Sequence, residues 1–144
     1  MPRRYWIGVV SKNHVERGVA GGFAQVCHGK STQLRRMADG DYLIYYSPKT
    51  DIKSGDAVQA FTAIGRVNGG GIYQVEMTPT FHPFRTNIDY NKTAKVAPIK
   101  PLLSSLSFIK DAKNWGHIFR RGHFEIPRDD FERIVQAMAV NPIE

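Results

Sequence analysis

Residues 22–30 read Gly22-Phe23-Ala24-Gln25-Val26-Cys27-His28-Gly29-Lys30, and no other stretch of the chain is as informative. Within nine residues it sets an aromatic ring, an amide, a thiol, an imidazole and an ammonium group beside a glycine pair. Glycines let a backbone approach a ligand closely and turn where side chains forbid it. Just beyond, Ser31 is placed to cap a short helix over residues 31–38, in which Leu34 and Met37 stand three apart and Asp39-Gly40-Asp41 ends the run. The free N–H groups at such a helix start favour a negative group, and Lys30 complements a phosphate there. Two readings of the stretch stand at this point. Phe23 and Val26 belong to the core while His28 satisfies a backbone carbonyl, or the segment lines a ligand pocket.

Working outward, residues 4–10 (Arg4-Tyr5-Trp6-Ile7-Gly8-Val9-Val10) form a β-branched and aromatic run that predicts a buried strand, with Trp6 as core. Asn13 is the expected N-cap of a short helical turn to Gly18, broken by Gly21-Gly22. Residues 42–47 and 57–67 read as strands, and Gly69-Gly70-Gly71 as the hairpin turn into a partner over 72–77. Residues 81–91 lack a clean period and read as loop with irregular strand. Pro101 opens a short helix over 102–106, and residues 117–126 read as a strand pair or one bent strand. Pro127 starts the final helix, with Asp129 and Asp130 in its first turn and Phe131, Ile134, Val135 and Met138 as one apolar stripe. This order predicts an α+β fold: a small mixed sheet curled toward a barrel and flanked by short helices.

Composition narrows the function classes. At 144 residues and 42% hydrophobic content the chain suits one domain with a real core. Its apolar runs are too short to cross a bilayer, and Met1-Pro2-Arg3-Arg4 leads into a strand rather than a signal segment, so a cytoplasmic location is expected. One cysteine excludes an internal disulfide and a cysteine-based zinc cluster, and the five histidines lack paired metal spacing, so neither metal nor cofactor is expected. Twenty Lys plus Arg against thirteen Asp plus Glu give a net charge of +7, which favours polyanionic partners.

The stretch from Gly22 to Lys30 resembles the bacterial EVE domain. So do Tyr45-Tyr46-Ser47-Pro48, Tyr73-Gln74-Val75-Glu76-Met77, Phe81-His82-Pro83-Phe84-Arg85, Asn114-Trp115-Gly116 and Phe119-Arg120-Arg121-Gly122. These segments occur in order along nearly the entire chain. The resemblance implies a PUA-like fold related to the YTH domains that read methylated adenine in RNA. It also implies a pocket for a modified base, cytosine derivatives in DNA being a frequent EVE ligand class. Two positions depart from the family: Phe84-Arg85-Thr86 stands where Trp-Arg-Arg is common, and Arg121 where phenylalanine is common.

The YTH comparison places the pocket. Phe23-Ala24-Gln25-Val26-Cys27-His28-Gly29 has the spacing of a cage aromatic followed by His-Gly, and Ser11-Lys12-Asn13 has the place of residues that face the base edge. On this likeness Phe23 stacks on the base, with Ser11, Asn13, Gln25 and the backbone near Ser47 reading its edge. Val26, Cys27 and His28 line the space, Trp115 and Phe84 form a second wall, and Tyr46 and Phe81 stand behind. A flipped base needs this combination of stacking and edge hydrogen bonds. Lys30, Arg35, Arg36, Arg85, Arg120 and Arg121 are the expected phosphate contacts, since guanidinium forks match phosphate oxygens. The expected partner is nucleic acid carrying a modified base, with any effector supplied by another chain.

Two rivals remain. A sensor of a small nucleobase-like ligand would use the same cage. A hydrolase would use Cys27 as nucleophile; neighbouring side chains in an extended stretch point to opposite faces, so His28 is poorly placed as its base, which leaves His82, His117 or His123 for that role.

Overall fold

The computed structural model describes residues 3–140, apart from 52 and 54. The first two residues, on which the signal-segment reading partly rests, lie outside that description.

Strand β1 (Tyr5–Val9) forms where the sequence is richest in β-branched and aromatic residues, and it organises the rest. It runs parallel to β3 (Tyr42–Lys49) on one side and antiparallel to β7 (His123–Ile126) on the other. Parallel neighbours cannot be joined by a tight turn. The crossover here carries α1 (Lys12–Gly21), the two-residue strand β2 (Phe23–Ala24) and the whole segment 25–41. Beyond β3 come β4 (Ala57–Gln74) and β5 (Phe84–Tyr90), giving the order β2-β5-β4-β3-β1-β7, with β6 (Ala97–Pro98) paired to β4. The sheet is mixed and seven-stranded, and it does not close into a barrel.

Alternation along each strand divides the core between the two faces. Ile7, Ile44, Phe61, Phe119 and Phe124 pack on one face with Phe131, Ile134 and Met138 of α2 (Arg128–Ala137). Trp6, Leu43, Tyr45, Val67 and Ile88 pack on the other, under Val15 of α1 and with Val26 and Leu34. Fully burying one aliphatic side chain such as Ile134 stabilises by about 1.5–3 kcal/mol. Asp130 ties α2 to the preceding loop, accepting from the backbone N–H and the hydroxyl of Ser107 at 2.9 and 2.6 Å.

Several local expectations change. The glycines at 69–71 do not turn a hairpin: they form an irregularity inside the long β4, whose register against β5 shifts between Val67 and Ile72. Positive φ at Gly69 and Gly71 bends the strand without ending it. The hairpin partner is β5, which is regular although its sequence lacks a period, because one of its faces covers the second core. Residues 31–38 contain only a three-residue 3-10 turn, Leu34–Arg36, so the helix start that was to receive an anion beside Lys30 does not exist. Residues 102–106 likewise follow a 3-10 turn at Lys100–Leu102, and Trp115–Arg121 is 3-10 helix leading into β7 rather than a strand. Helix α1 is longer than expected and takes Ser11, not Asn13, at its N-cap position.

Candidate functional site

The carboxyl end of β1 is where the predicted residues begin to converge. There the Val9 N–H donates to the Gly122 carbonyl at 2.8 Å and the Val10 N–H to the Tyr46 carbonyl at 3.1 Å. Ser11 follows at once and starts α1. The carboxyl edge of parallel strands at a change of direction is a recurrent place for ligands. Against it lies a tight turn in which Cys27, His28 and Gly29 all take left-handed backbone, with φ of 50°, 60° and 79°. Two consecutive non-glycine residues in that region cost on the order of 1 kcal/mol or more each. The surroundings enforce it. The Gly29 N–H donates to Val26 at 2.9 Å, Pro83 packs so closely on Gly29 that no side chain fits there, and the Cys27 sulfur fills the space a side chain at Gly122 would need.

Beside the turn, Phe23 and Gln25 point to the same side as Arg85. The Arg85 guanidinium stands 3.8 Å over the Phe23 ring, and its Nε donates to Gln25 Oε1 at 2.9 Å. The Phe23 face assigned to a base is therefore occupied by a cation. Arg85 is half-buried and spent on these two contacts, which removes it from the phosphate set as the structure stands. Gln25 is buried as a residue, but its Nε2, which has no hydrogen-bond partner among the described residues, is not sealed from solvent. The Tyr90 hydroxyl donates to the Phe23 carbonyl at 2.8 Å and fixes the segment on β5. His14, in the first turn of α1, completes the group. Its Nε2 is buried without a partner, and its pKa is lowered by burial and by the charge of Arg17, then Arg85, while the Gln25 backbone offsets part of this. The sequence reading missed His14, although it directly follows Ser11-Lys12-Asn13.

Trp115 does not share a wall with Phe23 and Phe84. It packs edge-on to Phe119 at 6.4 Å with the first core, whereas Phe84 packs with the second, on the opposite face of the sheet. Trp115 instead lines a groove of about 650 Å³ with Phe108, Lys110, His117, Arg120 and Arg121. Both arginines are exposed, and Arg121 leads directly into Gly122 and the Cys27 turn. Phe108, Lys110 and His117 were not anticipated. Phe108 and Lys110 come from a segment with no motif, and His117 lies between the family-like segments 114–116 and 119–122.

The remaining residues fall as follows. Tyr46 is buried and stacks on Phe119 at 3.9 Å, so it backs the site and offers no face to a ligand. The Ser47 hydroxyl is wholly buried against Thr62 at 2.8 Å, which leaves it unavailable to a base. Asn13 is exposed and its backbone N–H donates to Thr50 at 3.0 Å. Phe81 is exposed and stands over Gly29, while Val26 is buried in the second core. Lys30 and Arg35 face solvent. Arg36 is exposed as well, although it donates to the His123 carbonyl at 3.4 Å and lies over Trp6 at 5.2 Å.

Cys27 is not extended beside His28, as the sequence suggested, but turned away through left-handed backbone. Burial pushes its thiol pKa up, with Lys30 and Arg36 opposing. His123, which follows the Gly122 that Cys27 packs against, is buried and stacked on Trp6 at 4.9 Å, and neither ring nitrogen has a partner among the described residues. Among the described residues, no imidazole is hydrogen-bonded to this thiol.

The EVE domain family profile matches residues 4–137. The chain belongs to the EVE domain family. It is 50% identical to the UPF0310 protein YdcG of Bacillus subtilis (strain 168), covering 98% of this chain and 96% of that one. It is also 50% identical to a UPF0310 protein of Mycolicibacterium gilvum, covering 94% and 96%. Among solved structures, the Mmi1 YTH domain superposes with a TM-score of 0.60 at 15% identity, over 95% of this chain and 75% of that one. Mmi1 has also been solved in complex with RNA, with a TM-score of 0.58 at 16% identity over 94% and 81%. The NMR structure of Rpa0253 from Rhodopseudomonas palustris matches with a TM-score of 0.58 at 14% identity, over 97% and 96%. At these identities the likeness concerns the fold. This EVE domain thus has a YTH-like, PUA-like architecture. No helix among its described residues is long and apolar enough to cross a membrane.

Proposed function

We propose that this EVE domain, acting as one module over residues 1–144, binds nucleic acid without catalysis and reads a flipped, modified base. The observation that carries the reading is a groove lined by Trp115 and edged by Arg120 and Arg121, followed in the chain by Gly122, which packs against the Cys27 sulfur of the left-handed turn. Arginines there contact phosphates and fix register, and Trp115 offers a ring on which an unpaired base stacks. The flipped base enters between the start of α1, with Ser11, Asn13 and His14, and the segment from Phe23 to His28. Guanidinium planes serve as stacking platforms as aromatic rings do, so Arg85, held on Phe23, takes the role first given to the bare ring. The net charge of +7 and the RNA-bound state of the structurally similar Mmi1 YTH domain support the same class of partner. A cytoplasmic location and an effector on another chain belong to this reading.

The test is fluorescence anisotropy with DNA and RNA oligonucleotides of one sequence, each with or without a single modified base, across a salt series. Binding that weakens steeply with salt and favours one modified base supports the proposal. Binding only to free nucleosides, with little salt response, would move the domain to the class of small-ligand sensors. Turnover of any substrate would end the non-enzymatic reading.

A further inference from the structure

We propose that Arg85 is the specificity-positioning residue of the base site: it locks the Gln25 side-chain amide in one orientation, so that the site presents an N–H donor and selects bases with an acceptor at that point of their edge. The inference rests on the reading of this region as a base pocket.

A glutamine amide is nearly symmetric in shape but opposite in polarity at its two ends, so an unrestrained Gln25 could turn over and accept either a donor or an acceptor. Here it cannot turn freely. Arg85 carries only donors, and its Nε meets Oε1 at 2.9 Å, so the carbonyl end is the one that is held. A flipped amide would set N–H against N–H beside a permanent cation. The guanidinium is itself fixed, lying 3.8 Å over the Phe23 ring. The free end of the amide, Nε2, then has no partner among the described residues and is not sealed from solvent, so a ligand can reach it. A donor that loses its water to a ligand without an acceptor is costly. His14 adds a complementary group in the same place. Its buried Nε2 lacks a partner, and burial, with the charges of Arg17 and then Arg85, favours the neutral ring, which can accept. Phe23 thereby acts as the shelf that holds Arg85, and Arg85 acts through Gln25.

The experiment compares wild type with Arg85→Met and Arg85→Lys, using oligonucleotides that carry either one 5-methylcytosine or one thymine at the same place. These bases have the same shape, but the lone pair at N3 and the amino group at C4 of one become N–H and carbonyl in the other. Wild type is expected to separate them by at least about tenfold, because one base sets a donor against the fixed Nε2 donor and leaves it unpaired once solvent is displaced. Arg85→Met should bring the two within about threefold as the amide turns over, with Arg85→Lys between and the thermal midpoint little changed. An unchanged ratio in Arg85→Met, or no separation in wild type, overturns the inference. A second readout needs no ligand: the two Nε2 proton signals of Gln25 in NMR should be dispersed in wild type and move toward free-glutamine positions in Arg85→Met. If neither oligonucleotide binds, the base-reading function fails. The NMR signals still decide the clamp, since averaged signals in wild type overturn it and dispersed ones support it.

Discussion

Two regions of this EVE domain carry similar residues and use them in opposite ways. Around β1, Trp6, His123, Arg36, Phe23, Gln25 and Arg85 turn their rings and charges toward one another: Trp6 stacks on His123, Arg36 covers Trp6, and Arg85 covers Phe23. Along the 3-10 helix, Trp115 lines an open groove in which Arg120 and Arg121 reach solvent. An aromatic ring beside an arginine is thus no guide by itself to a binding surface. What separates the regions is whether the cation already has its ring and its acceptor. Substitutions at Trp6, His123 and Phe23 in the first region should read out as stability and pH dependence, and those in the second as affinity and salt dependence.

The largest effect is expected at His123. It is buried, and burial followed by the charge of Arg36 lowers its pKa to about 4. The unfolded chain binds a proton near pH 6.5, before the folded one does, so His123 penalises the folded state as pH falls from about 6.5 toward 4. The loss amounts to about 3 kcal/mol. His123→Phe keeps a ring on Trp6 and removes two unpartnered nitrogens, so it should be neutral or stabilising at pH 7. Urea denaturation of both proteins at pH 7 and pH 4.5 measures this, and an equal acid loss in the two would show that His123 is not the responsible group.

Phe23→Ala should come next. The ring is half-buried and bears Arg85, so the cost is about 2 kcal/mol, below the 3–5 kcal/mol of a fully buried phenylalanine. Phe23→Leu should lose less. A neutral Phe23→Ala would mean that the ring stands free, and the contrast between the two regions would fail there.

The groove should behave in the reverse way. Arg120→Ala or Arg121→Ala is expected to leave stability within about 0.5 kcal/mol. Each should weaken oligonucleotide binding up to about tenfold and lower the slope of log affinity against log salt by about one. Destabilisation with an unchanged slope would place these arginines in the inward class.

The strand-rich order, the buried β1 and α2 were legible because each rests on local pattern: β-branched runs for the strand, and Pro127 with a stripe from Phe131 to Met138 for the helix. The glycines at 69–71 misled because the same φ freedom serves a turn or a bend, and pairing with β5 decides which. The site was legible in part. Family likeness marked Phe23, Gln25, Arg85 and Trp115, but no one-dimensional reading tells that Arg85 spends itself on Phe23 and Gln25, or that Trp115 belongs to the other face. Those outcomes are set by which strand lies beside β2 and by the turn into β7. His14 escaped for a simpler reason: a lone histidine one turn into a helix carries no signal until its neighbours are known.

The smallest expected effect tests the turn between the two regions. Cys27 and His28 hold left-handed backbone at φ of 50° and 60°, where glycine would be unstrained. His28 is exposed, so its side chain contributes little packing to offset that cost. His28→Gly should therefore change stability by less than about 1 kcal/mol, since relief of strain is countered by the greater freedom of glycine in the unfolded chain. His28→Asn, which tolerates the same backbone, should be closer still to wild type. If His28 only closes the turn, all three proteins should bind oligonucleotides alike. If its imidazole meets the base or a phosphate at the junction of groove and pocket, both variants should lose affinity while keeping their urea midpoints. That result would make the junction a third functional element, neither inward-turned nor part of the open groove. Equal affinities in all three would leave the turn as scaffold alone.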